Sequence, residues 1–121
     1  MMKNVLVVDD SSMVRNFHMN ILKKAGFKVE GAEDGVDALE KSLQSHYDLI
    51  ICDINMPTMD GITFIERYRM QTEDDTPIII LTTQEEEINR QKGYESGASL
   101  FLAKPVKPES LLLHIKLLMG E

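Results

Sequence analysis

The chain has little cysteine, no long apolar run and no excess of basic residues, and each shortage excludes a class of protein. Its single cysteine cannot form an internal disulfide, and no Cys/His cluster has the spacing of a zinc site. Lys and Arg number 13 against 20 Asp and Glu, and the resulting net charge of −7 disfavours contact with nucleic acids and anionic membranes. The chain is therefore expected to act through neither.

Targeting and membrane-spanning segments are also lacking. Only four apolar residues precede Asp9 and Asp10, too few for a signal peptide. No apolar run approaches the roughly 20 residues that a membrane-spanning helix needs. These absences predict a reduced, cytoplasmic protein. The length of 121 residues fits one domain over residues 1–121, because compact domains commonly contain about 100–150 residues.

Two kinds of segment alternate along the chain. Short apolar runs, typical of strands buried on both faces of a parallel sheet, occur at 5–8, 49–52 and 78–81, with weaker candidates at 27–30 and 99–102. Segments with helical periodicity lie between them and begin near Ser12, Gly35, Asp60, Gln84 and Pro108. This alternation predicts an α/β fold with a doubly wound parallel sheet of five strands and with five helices.

Apolar spacing also predicts which helix residues face the core. In the first helix Phe17 and Leu22 are predicted to be core residues, and in the second Val36 and Leu43 share one apolar stripe. The three histidines, His18 among them, show no ligand spacing and are expected at the surface or at an edge.

Polar residues follow the predicted strands. Asp9 and Asp10 follow the first strand, Asp53 the third, Thr82 the fourth and Lys104 the fifth. The carboxyl ends of parallel strands share one rim, where such sheets bind ligands. Two like charges about 4 Å apart repel by roughly 4 kcal/mol at an effective dielectric near 20, so crowded aspartates need a compensating charge. One lysine offsets one charge, and Mg²⁺ held by carboxylates, a carbonyl and water is the simplest further compensation.

A carboxylate beside a metal ion can carry out phosphoryl chemistry. An aspartate can attack phosphorus and form an aspartyl-phosphate. Phosphoryl transfer needs mainly positioning and neutralised charge, which Mg²⁺, a lysine and a hydroxyl can provide. The residues therefore predict a metal-assisted phosphoryl site, without selecting the acceptor. Any one of these aspartates taken alone is more commonly a turn residue or a helix cap.

The order and spacing of these residues resemble the response-regulator receiver domain. The resemblance rests on Asp9-Asp10-Ser11 with Arg15, Asp53-Ile54-Asn55-Met56-Pro57 leading to Asp60-Gly61, Thr82, and Lys104-Pro105. It covers essentially the whole chain and is greatest with single-domain regulators of the chemotaxis type. It implies the flavodoxin-like strand order 2-1-3-4-5.

The resemblance implies a phosphoacceptor and a set of metal ligands. Asp53 would be the phosphoacceptor. The carboxylates of Asp10 and Asp53, with the main-chain carbonyl of Asn55, would hold Mg²⁺, and Asp9 would assist through water. Gly61 would open the turn beyond the acceptor loop.

Further residues would recognise the phosphoryl group and respond to it. Thr82 and Lys104 would each contact a phosphoryl oxygen, and Pro105 implies a cis peptide that aims the lysine. Phe101 stands at the position of an aromatic switch residue whose ring moves when Thr82 shifts. Phenylalanine keeps the packing of that switch and lacks the hydroxyl that a tyrosine would supply. Gln84 flanks the site at a position that tunes dephosphorylation in the family.

The resemblance also implies two protein partners. A histidine kinase would donate the phosphoryl group and contact the first helix at Val14. A downstream protein, for example in chemotaxis, would read the face formed by helix four, strand five and helix five. The chain would catalyse only its own phosphorylation and dephosphorylation, and so would not be an enzyme with an external substrate.

Several alternatives remain at this point. The chain could be a receiver that binds partners without being phosphorylated, or a receiver belonging to a larger regulator. A flavin or nucleotide carrier is disfavoured because no Gly-rich loop follows any strand and because Asp9 and Asp10 would repel phosphate. An aspartate-dependent phosphatase would be expected to carry a second acid where this chain has Asn55.

Overall fold

Apolar β-branched runs form the central sheet. The computed structural model describes residues 2–83 and 90–120. Its strands are β1 (Asn4–Val8), β2 (Lys28–Ala32), β3 (Leu49–Asp53), β4 (Ile78–Thr82) and β5 (Leu100–Ala103). All neighbouring strands are parallel, in the order β2-β1-β3-β4-β5. The predicted fold class and strand order are confirmed.

Helices connect successive strands. They are α1 (Ser12–Lys24), α2 (Gly35–Gln44), α3 (Gly61–Gln71), α4 (Arg90–Ser96) and α5 (Pro108–Met119). The predicted start of the fourth helix near Gln84 lies outside the described residues. No helix within residues 2–83 and 90–120 is long and apolar enough to cross a membrane.

The sheet separates two apolar layers. The side chains of β1 and β3 alternate between them, as the period of two in a strand requires. One layer includes Phe64 and Tyr68 of α3, and the other includes Leu22 of α1 and Ile115 of α5. Because β3 and β4 are buried along their whole length, their carboxyl ends lie between the helices of the two layers.

The predicted apolar stripes of the first two helices are partly wrong. Phe17 is 52% exposed, and Val36 and Leu43 are 43% and 47% exposed. In α2 the residues that face the sheet are small, including Ala38 and Ser42, so the helix backbone lies close to the strands and the larger apolar side chains point outward. In α1 the buried positions are His18 and Leu22 instead of Phe17 and Leu22.

All five strands differ from the predicted ranges by one or two residues at an end, and both ends differ in the two weaker candidates. β2 extends to Ala32 because Val7 pairs with Gly31 and Val8 with Ala32, which continues the ladder past the apolar residues. β5 begins at Leu100, one residue later than predicted, and runs to Ala103 opposite Thr82. The longer ladder brings the ends of all five strands to one rim.

Candidate functional site

Three acidic side chains meet at the carboxyl ends of β1 and β3. These strands are neighbours, and Val8 pairs with Cys52 in the residue pair before Asp9 and Asp53. Asp9, Asp10 and Asp53 each present a carboxylate oxygen, and these oxygens all lie within 4.8 Å of one another. Asp9 and Asp53 are buried, whereas Asp10 is exposed. We call this region, together with Thr82 and Lys104, the acidic rim.

Lys104 compensates part of this negative charge. Its Nζ lies 3.0 Å from Asp53 Oδ1 and 3.6 Å from Asp9 Oδ2. The main-chain N–H of Lys104 donates to Thr82 O at 2.7 Å, which ties the lysine to the end of β4. The peptide bond from Lys104 to Pro105 is cis, as predicted. One ammonium against three carboxylates leaves an excess of two negative charges when all are ionised, which suits a divalent cation.

The acceptor candidate is held by its own backbone as well as by the lysine. Asp53 is 7% exposed, and its Oδ1 accepts a hydrogen bond from the Ile54 N–H at 2.9 Å. With Lys104 on the same oxygen, the carboxylate has a defined orientation at the rim. Such positioning is what phosphoryl chemistry asks of a nucleophile.

The loop after β1 is built around Asp9. Asp9 Oδ1 accepts from the Ser11 N–H at 3.0 Å, and Asp9 O accepts from an Arg15 guanidinium N–H at 2.7 Å. The Asp9 N–H donates to Ala32 O at 3.1 Å. Ser11 and Arg15 both belong to the sequence pattern. The Ser11 N–H thus orients the Asp9 carboxylate, and the Arg15 guanidinium holds the Asp9 main chain.

The loop between β3 and α3 lies against the Asp53 backbone. Gly61 donates its N–H to Ile54 O at 2.8 Å, and a Cβ at Gly61 would lie 2.2 Å from Asp53 O. Gly61 is the first residue of α3, so close approach, and not a turn conformation, explains the glycine here. Asn55 is exposed two residues beyond Asp53, and the role of its carbonyl stays a prediction.

Thr82 and Phe101 lie on the same face of the sheet. Thr82 is fully buried, and its hydroxyl donates to Thr83 O at 3.1 Å. Phe101 pairs with Ile80 on the neighbouring strand. Ile80 and Thr82 are two residues apart in β4, so their side chains point to the same face of the sheet as Phe101. A change at Thr82 therefore has a short path to the aromatic ring. Gln84, predicted to flank the site, lies outside the described residues.

An open apolar groove adjoins the acidic rim. It has a volume of about 580 Å³ and lies between α1 and the loop after β5, with Pro105 and Val106 on the loop side. Val14 lines it but is only half-buried, and its N–H donates to Ser11 Oγ at 3.3 Å. The more exposed apolar residue of this wall is Met13, at 81%. Val14 is thus one part of a larger apolar surface beside the site.

Sequence reasoning missed His18. It is 4% exposed and its Nδ1 has no hydrogen-bond partner within the described residues. Burial lowers the pKa of His18, against the opposing effect of nearby Asp9. The prediction of a surface or edge position is therefore wrong for this histidine. The four-residue spacing of Val14, His18 and Leu22 was the available signal, because such residues share one helix face.

Cys52 is not a competing nucleophile. Burial raises the pKa of its thiol, and the charge of Asp53 raises it further. Its Sγ donates to Asp53 O at 3.1 Å inside the core. Because the thiolate is the reactive form of cysteine, this residue serves packing.

The geometry agrees with one known protein family. The family model that represents the response regulator receiver domain matches residues 5–116 of this chain. The chain belongs to this family. It is therefore a receiver domain of the kind found in the response regulators of two-component systems, and the resemblance seen in the sequence is confirmed.

Solved receivers share the fold over the whole chain. The chemotaxis protein CheY4 of Vibrio cholerae is 42% identical with a TM-score of 0.90, covering 96% of this chain and 98% of that chain. A putative response regulator from Chloroflexus aurantiacus is 32% identical with a TM-score of 0.92, and both chains are covered completely.

Curated relatives are longer. The transcriptional regulatory protein ResD of Bacillus subtilis is 37% identical over 115 residues, which is 95% of this chain and 47% of ResD. The transcriptional regulatory protein SrrA of Staphylococcus aureus is 35% identical over 119 residues, covering 98% of this chain and 48% of SrrA. This chain spans about half the length of the curated relatives it matches.

Proposed function

We propose that this receiver accepts a phosphoryl group from a histidine kinase on Asp53. The observation that carries the proposal is the geometry of the acidic rim. A buried carboxylate with a lysine Nζ at 3.0 Å lies beside two further carboxylates within 4.8 Å. The lysine offsets charge at the reacting carboxylate, and the three carboxylates together provide a place for a divalent cation.

The residues of the rim fit Mg²⁺. Asp10 and Asp53 would hold it together with the main-chain carbonyl of Asn55, and Asp9 would assist through water. The donor set is all oxygen, which Mg²⁺ prefers, and the excess negative charge matches a divalent ion. When bound, Mg²⁺ would neutralise charge on the transferring phosphoryl group.

The side chains of the chain itself perform the transfer. An Asp53 carboxylate oxygen attacks phosphorus, and the bond from phosphorus to the donor imidazole nitrogen breaks, leaving that imidazole to take up a proton. Lys104 stays close enough to pair with a phosphoryl oxygen. The chain thereby catalyses its own phosphorylation, and its later dephosphorylation by water, and has no other substrate.

Phosphorylation then changes the output face. The Thr82 hydroxyl leaves Thr83 O and donates instead to a phosphoryl oxygen, which moves Thr82 toward Asp53. Phe101 on the same sheet face repacks into the space released. The α4–β5–α5 face changes as a result, so that phosphorylation biases an equilibrium between two arrangements.

The proposal includes the partners and their surfaces. The histidine kinase contacts α1 at Val14 and the apolar groove beside it, which opens next to the acidic rim. A downstream protein reads the α4–β5–α5 face. Residues 1–121 act as one module in the cytoplasm, and the module itself contacts neither nucleic acid nor membrane, in keeping with a net charge of −7.

Two settings for this module are supported by different comparisons. The similarity to CheY4 over nearly all of both chains supports a chemotaxis regulator that acts by protein contact. The similarity to ResD over half its length supports a receiver of a longer transcriptional regulator. The phosphoryl chemistry is the same in both settings.

Intact mass after incubation with acetyl phosphate and Mg²⁺ tests the acceptor. We expect the wild type to gain one phosphoryl group and Asp53→Asn to gain none. Asp48→Asn is the matched control, since Asp48 lies at the opposite end of β3 and caps the Asn4 N–H at 2.7 Å; it should be modified like the wild type. Equal modification of Asp53→Asn would place the acceptor elsewhere. If neither the wild type nor any variant gained a phosphoryl group, the result would favour a receiver that works without phosphorylation.

A further inference from the structure

We propose that α4 carries a seat for the Phe101 ring, made by Gly93, Arg90 and Tyr94, and that Tyr94 transmits the movement of this ring to the surface. The inference rests on the proposed function, because the ring moves only if phosphorylation moves Thr82. It assigns Tyr94 as a positioning residue of the output face.

Gly93 lets the Phe101 ring press against the α4 backbone. Phe101 is 4% exposed. A Cβ at Gly93 would lie 2.3 Å from Cζ and 2.9 Å from Cε1 of this ring, and 3.2 Å from Ile80 Cδ1. Heavy atoms cannot approach to 2.3 Å without displacement. The ring can therefore occupy this position only because residue 93 has no side chain.

Two further residues of α4 hold the same ring. Arg90 Cζ lies 5.2 Å from the Phe101 ring centroid, within the range of a cation–π contact. The Tyr94 and Phe101 ring centroids are 4.9 Å apart at an angle of 56°, a tilted aromatic pair. All three contacts come from α4, so a shift of the ring away from this helix changes all of them.

Tyr94 connects the buried ring to solvent. It is 42% exposed, whereas Phe101 beneath it is buried. Phe101 has no hydroxyl of its own to present at the surface, and Tyr94 provides a phenol on the same α4–β5 face. When Phe101 moves toward Thr82, Tyr94 loses its aromatic partner and changes its position on the output face.

Tyr94 can be observed separately from the other tyrosines. The chain has three tyrosines. Tyr47 and Tyr68 are buried, and their hydroxyls donate to Glu30 at 2.7 Å and to Thr76 at 3.0 Å. Within residues 2–83 and 90–120 neither of these two tyrosines forms a ring pair with Phe101. Both therefore serve as internal references in a fluorotyrosine-labelled protein.

Fluorine NMR of the labelled protein, with the Tyr94 signal assigned through Tyr94→Phe, tests the inference. Addition of beryllofluoride with Mg²⁺ should move the Tyr94 resonance by more than its linewidth and leave the other two in place. The backbone amides of Thr82 and Phe101 are recorded in the same sample. If the amide resonances shift while the Tyr94 fluorine resonance does not, the role of Tyr94 is wrong and the proposed function stands. If neither the amide resonances nor the Tyr94 resonance shifts, both the inference and the proposed function are wrong.

Gly93→Ala tests the seat without phosphorylation. The added methyl should push Phe101 off α4 toward Thr82, so the Tyr94 resonance of the unmodified variant moves toward its beryllofluoride position. Because this favours the phosphorylated arrangement, modification by acetyl phosphate should become several-fold faster. Gln91→Ala, an exposed change on α4, is the matched control and should do neither. A Gly93→Ala resonance at the wild-type position would contradict the inference, and the wild-type titration decides the matter if this variant fails to fold.

Discussion

The two ends of the sheet use the same kinds of residue in opposite ways. At the acidic rim, Asp9, Asp10 and Asp53 crowd within 4.8 Å of one another. At the amino-terminal end of the strands, Asp48 lies 3.5 Å from His46 Nε2 and accepts the Asn4 N–H at 2.7 Å. Aspartate is a source of repulsion at one end and a backbone cap at the other.

The hydroxyl groups differ in the same way. At the amino-terminal end, the Tyr68 hydroxyl donates to Thr76 Oγ1 at 3.0 Å, and the Thr76 hydroxyl donates to Tyr47 O at 3.0 Å. These hydrogen bonds join α3 to the residues before β3 and β4, and the Tyr68 hydroxyl also lies 3.5 Å from Asp74 Oδ2. At the acidic rim, the Thr82 hydroxyl donates to the neighbouring carbonyl of Thr83. A hydroxyl with a local partner can change that partner, which is what a response to a phosphoryl group requires.

Polar residues that stabilise the fold and polar residues that form the candidate site thus lie at opposite ends of the strands. At the amino-terminal end, Tyr47, Tyr68 and Thr76 are buried and hydrogen-bonded, so they stabilise the fold. Carboxylates at the acidic rim are held together against repulsion by one lysine, so they lower stability until a cation binds. Substitutions at the two ends should therefore have opposite effects.

Truncating the hydroxyl chain at the amino-terminal end should have the largest effect on stability. Tyr68 is 1% exposed and stacks on Phe64 at 6.0 Å between ring centroids. Tyr68→Ala should lower the free energy of unfolding by about 3–5 kcal/mol, as loss of a buried aromatic does. Tyr68→Phe, which removes only the hydroxyl, should cost about 1 kcal/mol. Urea unfolding measures both.

The folded fraction of these Tyr68 variants should still be phosphorylated on Asp53, as read by intact mass. A Tyr68→Phe protein that keeps its stability but loses phosphorylation would break the separation between the two ends.

Removing one carboxylate from the acidic rim should stabilise the metal-free protein. Asp10 is exposed, so solvent screens part of the repulsion, and Asp10→Asn should raise the free energy of unfolding without Mg²⁺ by about 1 kcal/mol. The same change should weaken Mg²⁺ binding at least tenfold, measured by titration with thermal unfolding as readout.

Asp75→Asn is the control for charge alone, since Asp75 is an exposed acid at the other end of the molecule. It should leave Mg²⁺ affinity unchanged. If Asp10→Asn kept the Mg²⁺ affinity of the wild type, Asp10 would not be a ligand of the metal.

His18 offers the smallest and most pH-dependent effect. Burial holds the pKa of His18 below its ordinary value of 6.5, so the unfolded chain takes up a proton before the folded one. Folding stability is then lost as the pH falls below 6.5 through the lowered pKa, and is complete above it. His18→Leu should flatten this dependence. It should also raise the free energy of unfolding by about 1 kcal/mol, because it removes a buried nitrogen that has no hydrogen-bond partner among the residues the structure describes.

His46→Gln is the matched control for His18, because the His46 side chain is 67% exposed at the amino-terminal end. Urea unfolding between about pH 5 and pH 7.5, which extends from about 1.5 units below to about one unit above an ordinary histidine pKa, measures the slopes. Equal slopes for wild type and His18→Leu would show that His18 does not titrate differently on folding.

The sequence alone determined the architecture and the composition of the acidic rim. Alternating strand and helix periods specify a parallel α/β sheet, and parallel strands bring their carboxyl ends to one rim. The positions of Asp53 and Lys104 at the carboxyl ends of the third and fifth strands therefore implied their proximity before any coordinates. This proximity follows from the order of strands and helices along the chain, and the details of side-chain packing do not alter it.

Only the tertiary structure decided how each helix is rotated against the sheet. Phe17 is exposed and His18 buried because neighbouring volumes, and not hydropathy alone, set which stripe of α1 faces the strands. The same reason applies to Phe101, whose seat depends on the missing side chain of Gly93, eight residues away in sequence and in contact in space. Close packing joins residues that no local pattern relates, so these features arise only when the layers meet.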